Sequence, residues 1–123
     1  MAAVADVVEQ AHRQASDRNG NELAAELQDL LGQKLVAYAL ADRHPKTIGR
    51  YARGERVPDD DALRSLVELR VIVGILERGM RPETIKTWML GSNPRLRGQA
   101  PIVAFHEGKV GKVTGAAKAF VTR

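Results

Sequence analysis

His12, His44 and His106 are the only imidazoles in this chain of 123 residues, and they are scattered along it. A metal or acid–base site built on one helix needs His-x-x-x-His or His-x-x-Glu, which puts both donors on one face. Neither pattern occurs. Cysteine is absent, which excludes disulfides and thiolate metal sites and is compatible with an intracellular setting. Gly111-Lys112 has the ending of a phosphate loop, but that pattern fails on both sides. Its first glycine would fall on His106, and its Ser/Thr position holds Val113. These residue types therefore argue against an enzyme, and no cofactor is expected.

The spacing that does carry chemistry is cationic. Residues 34–56 hold Lys34, Arg43, Lys46, Arg50, Arg53 and Arg56 against Asp42 and Glu55, a local net of +4 equal to that of the whole chain. Residues 92–123 are also basic, while residues 1–33 are acidic. At 100° per residue, Ile48, Tyr51 and Ala52 share one side of a helix starting at Pro45. Lys46, Arg50 and Arg53 fall opposite, with Gly49 on the flank. A helix anchored by an apolar face and cationic outside is what DNA major-groove recognition requires. Lys46, Thr47, Arg50, Arg53 and Arg56 are the expected nucleic-acid contacts. The ordinary alternative is a solvated surface face, which is where lysine and arginine usually lie.

Several elements must position that helix. Pro45 suits a first helical position, and Gly54 suits a left-handed stop. Asn19-Gly20-Asn21 is a turn signal before a helix over 22–31, with Leu23, Leu27, Leu30 and Leu31 on one face. Gly32 separates it from a helix over 34–41. One of Asp59, Asp60 and Asp61 should cap a long core helix over 60–78 carrying Leu63, Leu66, Val67, Ile72, Val73, Ile75 and Leu76. A helix through Leu90 follows Arg81-Pro82-Glu83, with Ile85, Trp88 and Met89 inward. Residues 92–101 read as a loop, 101–107 as one or two helical turns, and 108–123 as a terminal helix with Val110, Val113, Ala117, Phe120 and Val121 at helical spacing. No sustained strand alternation occurs, so an all-α fold is expected. Its parts are an N-terminal arm or helix (1–21), a helix-turn-helix region (22–80) and a C-terminal region (81–123).

Composition sets the remaining bounds. A hydrophobic content of 44% and a charged content of 28% are globular values, and the length suits one core. The first ten residues lack a cationic segment, against a signal peptide, and no apolar run approaches the ~18 residues of a membrane span. A soluble, cytoplasmic protein without membrane contact is expected.

Three pieces in order resemble the Xre/MbcA/ParS class of antitoxins: TIGRYARGERVP, TWMLGSNPRLRGQAP and FHEGKVGKVTGAAKAF. That class joins an Xre-like DNA-binding half to a toxin-binding half. The second half has a Trp, an Asn-Pro, a Leu, a Pro, a Gly and a small-residue-rich terminal helix. Trp88, Asn93-Pro94, Leu96, Pro101, Gly108 and Ala116-Ala117 match, and the resemblance covers residues 22–123. Three positions depart from the common helix-turn-helix pattern: Asp42 for a turn glycine, Tyr38 for an alanine, and Tyr51 for a Trp. The resemblance implies an antitoxin that neutralises an NAD-consuming RES-domain toxin. It also implies binding to its own operator DNA, with the C-terminal region covering the toxin's active-site entrance. A stand-alone helix-turn-helix repressor without a toxin is the alternative.

On that implication the toxin-facing set is Trp88, Asn93, Lys109, Lys112, Lys118, Phe120 and Arg123. The ordinary roles of Trp88 and Asn93-Pro94 are core packing and a turn. Gly111 and Gly115 lie along one ridge of the terminal helix, away from Val113 and Phe120. Each costs about 1 kcal/mol against alanine in a helix interior. Lys118 continues the ridge, flanked by Lys112 and Arg123. A bare ridge admits close approach of another surface, although a frayed tail tolerates glycine as readily. On this reading, removal of residues 108–123 leaves a folded, DNA-competent chain without toxin protection. One cationic helix neutralises few phosphates, and specific operators pair two such helices about 34 Å apart. A homodimer, or a hetero-oligomer with toxin, is therefore expected.

Overall fold

The computed structural model describes residues 8–11, 19–41 and 43–122. Most of the segment expected as an N-terminal helix or arm lies outside them, as do Asp42 and Arg123. Every regular element among the described residues is helical: a piece over residues 8–11, then α1 (Gly20–Leu31), α2 (Gln33–Ala39), α3 (Pro45–Ala52), α4 (Asp60–Leu76), α5 (Pro82–Leu90), a 3-10 turn (Pro94–Leu96), α6 (Pro101–His106) and α7 (Val110–Thr122). The fold is all-α. None of these helices is long and apolar enough to cross a membrane.

Local chemistry accounts for the boundaries. The Asn19 carboxamide oxygen accepts from Glu22 N–H at 2.8 Å, while its amide donates to the Glu22 carboxylate. This reciprocal cap starts α1 two residues earlier than its leucine pattern predicts. Asp59 caps α4 by accepting from Ala62 N–H at 2.8 Å, and Asp60 and Asp61 complement the helix dipole in its first turn. α3 ends in the expected left-handed glycine, Gly54 at φ 75°. There Glu55 N–H donates to Arg50 O and Gly54 N–H to Tyr51 O, closing the last carbonyls.

α4 is the centre of the core. Leu69 through Leu76 are all buried, whereas the expected core residue Leu63 is exposed near the start of the helix, where it covers Gly20. α1 lies on one part of α4 and α7 on another. α1 also packs on α3 and α5, α2 on α3 and α6, and α6 on α7. Within the buried second half of α4 is a charge that periodicity does not reveal. Arg70 is 7% exposed. It donates to Glu77 at 2.9 Å and to Glu26 of α1 at 3.3 Å, so its guanidinium is paired on both sides.

A single cluster of buried side chains runs from Ala11 through α1–α6 to Val113, Ala116 and Ala117 of α7. The C-terminal segment is thus part of the core. This corrects the expectation that residues 108–123 can be removed without consequence for the rest of the chain. Val113 and Ala117 are fully buried. A second tie links the two regions of the chain. The Tyr38 and His106 rings stack with centroids 4.1 Å apart, and His106 Nδ1 lies 2.8 Å from the Tyr38 carbonyl oxygen. Tyr38 thus packs on α6.

Candidate functional site

The first of two candidate surfaces is the outer face of α3. Ile48 and Tyr51 are buried beneath it, and the Tyr51 hydroxyl accepts from Arg43 at 3.1 Å. Ala52 is only half-buried. Gly49, expected on the flank, is buried: a Cβ there would stand 2.8 Å from the Gln33 side-chain nitrogen and 3.1 Å from Arg53. At the N-terminus His44 accepts from Lys46 N–H at 3.1 Å, so this histidine caps a helix. At the other end the Asn21 side chain donates to the carbonyls of both Tyr51 and Arg56, each at 2.8 Å. Asn21 reads in the sequence as a turn residue. Its role as the clamp on the end of α3 rests on contacts thirty or more positions away, which no local pattern reveals.

The cations of residues 34–56 divide into two sets. Arg43 forms a bidentate pair with Asp59 at 2.9 and 3.1 Å, holding the start of α4 to the turn before α3. That hydrogen bond, reinforced by the Ala62 N–H, lowers the Asp59 carboxyl to about 2. Arg53 pairs with Glu55 on the surface, and this contact holds the Glu55 carboxyl below its ordinary range. Lys46, Arg50 and Arg56 are exposed and carry no ion pair among the described residues. Thr47 is half-buried. Lys46 and Arg50, one turn apart, are therefore the cations of α3 most available to a phosphate backbone.

The second surface lies between the end of α5, the 3-10 turn and α7. A groove of about 570 Å³ is lined there by Trp88, Asn93, Pro94, Arg95, Ala116 and Phe120, among others. Trp88 and Phe120 are half-buried, each packing one part against the core and presenting another to the groove. Asn93 has a different task. Its side-chain oxygen accepts from Arg95 N–H at 3.0 Å, and its carbonyl accepts from Leu96 and Gly98. Leu96 is buried below, so the turn is held at its foot. Leu90 remains 51% exposed at the end of α5.

None of Lys109, Lys112 and Lys118, expected to face the same partner, lines this groove. Lys109 and Lys112 line a neighbouring groove, and Lys118 is half-buried elsewhere on α7. Lys109 pairs with Glu107 at 3.0 Å, and Gln99 donates to the same carboxylate at 2.9 Å. Gln99 and Lys109 together lower the Glu107 carboxyl. Gly111 and Gly115 have open space where a Cβ would stand, so packing within the chain does not require either glycine. No group of three or more His, Asp or Glu side chains among the described residues has the arrangement of a metal site. Searches against protein-family models, curated proteins and solved structures each returned no match.

Proposed function

We propose that this chain is an antitoxin whose α2–α3 pair acts as a DNA-binding helix-turn-helix. The groove between α5 and α7 receives an NAD-consuming RES-domain toxin. One observation carries the reading. Trp88, Asn93-Pro94 and Ala116, which are separate pieces of the family-like sequence pattern, line a single groove. Leu96, Pro101 and Ala117 of the same pattern are buried. Half-exposed aromatic side chains at a concave surface are suited to anchoring a partner side chain. The available cations of α3 support the second part of the reading, with operator binding by two copies or by a toxin-joined assembly.

The test is capture of the product of the adjacent gene by the full-length chain. Ala119 lines the groove and is not part of the buried core, so Ala119→Arg fills the groove without emptying a packed site. Stable capture by the wild type and its loss in Ala119→Arg support the proposal. Equal capture by both, or by neither, contradicts it. Capture by neither, with operator binding retained, would instead favour a stand-alone repressor.

A further inference from the structure

The second groove, on the other side of Arg95, has a chemistry of its own. It encloses about 510 Å³ and is lined by Arg95, Arg97, Gln99, Lys109, Lys112 and Gly115, among others. That volume is within the usual size of a small-molecule site, roughly 300–1,000 Å³. Four cations face one concavity. Glu107 pairs only with Lys109 among them, and Arg95, Arg97 and Lys112 have no ion pair among the described residues. Bringing like charges together in a partly enclosed space is unfavourable unless an anion joins them.

The arginines are held by backbone bonds and are not on a loose loop. Asn93 accepts from Arg95 N–H, Asn93 N–H donates to Gln99 O, and Ser92 Oγ donates to Gly98 O at 2.8 Å. Arg97 itself is left-handed at φ 57°, a conformation that favours glycine or asparagine and costs an arginine about 1 kcal/mol. On the facing side, Lys112 and Gly115 belong to the first two turns of α7. Gly115 leaves the helix backbone bare where it borders the groove, and no described residue occupies that space. The partial positive charge of the α7 N-terminus adds to the same field.

We propose that this groove binds a di- or triphosphate group, free or carried by a nucleotide. Arg95 and Arg97 contact one part of the phosphate chain from the 3-10 turn, and Lys109 and Lys112 contact another from α7. Arginine supplies paired, planar donors to phosphate oxygens, and lysine supplies a point charge. Arg95 borders both grooves, so a bound di- or triphosphate would also influence whatever occupies the aromatic groove. The proposal does not depend on the toxin reading, because the groove and its cations stand without it.

The probes are inorganic pyrophosphate and ATP, titrated calorimetrically into the full-length chain at about 0.15 M salt. Saturable one-to-one binding of both is expected. The double variant Arg97→Gln/Lys112→Gln should weaken it at least about tenfold, the effect of losing one charge-assisted contact or more. All substituted side chains are exposed, and circular dichroism checks that the fold is kept. Arg64→Gln/Lys86→Gln, on α4 and α5, should leave binding unchanged. No saturable binding overturns the proposal, as does equal weakening by both double variants, which would mean a diffuse charge effect. Binding of duplex DNA alone, lost in Arg97→Gln/Lys112→Gln, would assign the groove to a nucleic-acid backbone and likewise overturn it.

Discussion

Ending the chain after Glu107 should unfold the whole protein. The removed segment takes Val113, Ala116 and Ala117 out of the core, together with the half-buried Val110, Phe120 and Val121. Burial is worth about 0.8 kcal/mol per methyl or methylene and 1.5–3 kcal/mol for a whole valine or phenylalanine, so these side chains contribute roughly 6 kcal/mol. A domain of this size has a total stability of only about 5–15 kcal/mol. The face of α4 that α7 covers would also become exposed, which invites aggregation. The full-length chain should melt in one cooperative transition by circular dichroism, and the truncated chain should show none or precipitate. A graded control is Val113→Ala, which removes about 2 kcal/mol and lowers the midpoint by roughly 6–10 °C. A truncated chain that melts cooperatively within a few degrees of the full-length protein would refute the reasoning.

Lys46→Ala/Arg50→Ala should weaken DNA binding at all sequences and reduce the slope of log K against log salt by about 2, with the melting midpoint unchanged. Arg53→Ala should have a smaller effect, since Glu55 already engages that guanidinium. The Arg43–Asp59 pair makes stability acid-sensitive in a defined window. Because the folded Asp59 carboxyl titrates near 2, below its ordinary 3.8, its contribution is complete above about pH 4 and is lost as pH falls toward 2. Asp59→Asn keeps a capping side chain but should flatten that part of a urea-midpoint-versus-pH curve. In the core, Arg70→Met should stay within about 1 kcal/mol of wild type in urea unfolding and Arg70→Ala should lose about 2–3 kcal/mol, since volume is lost only in the second. Glu26 and Glu77 keep side-chain exposures of 32% and 35%, so water can solvate them when the guanidinium is gone.

Local features of the chain were legible in advance. Pro45, Gly54, the aspartates before α4 and Pro82 mark helix ends by backbone chemistry that depends on near neighbours. The 3.6-residue pattern likewise identified the buried leucines of α1 and the apolar second half of α4. What escaped depends on distant contacts. Asn21 becomes a clamp only because α1 lies against the end of α3. Arg70 reads as a break in an apolar run until Glu26 of α1 is placed beside it. Gly49 looks like a flank position until Gln33 fills that side. The division of the cations is similar, since a sequence counts Arg43 and Arg53 equally with Lys46 although each already has an acid. The terminal helix reads as separable because amphipathic periodicity shows that a face is apolar but not how much of the remaining core depends on it.

The most direct measurement is NAD consumption by the adjacent gene's product, purified and titrated with this chain. The proposed function predicts that NAD loss falls in proportion to added antitoxin and stops at a fixed ratio, with Ala119→Arg failing to suppress it. Unchanged NAD loss at a molar excess of the folded wild-type chain would contradict the account.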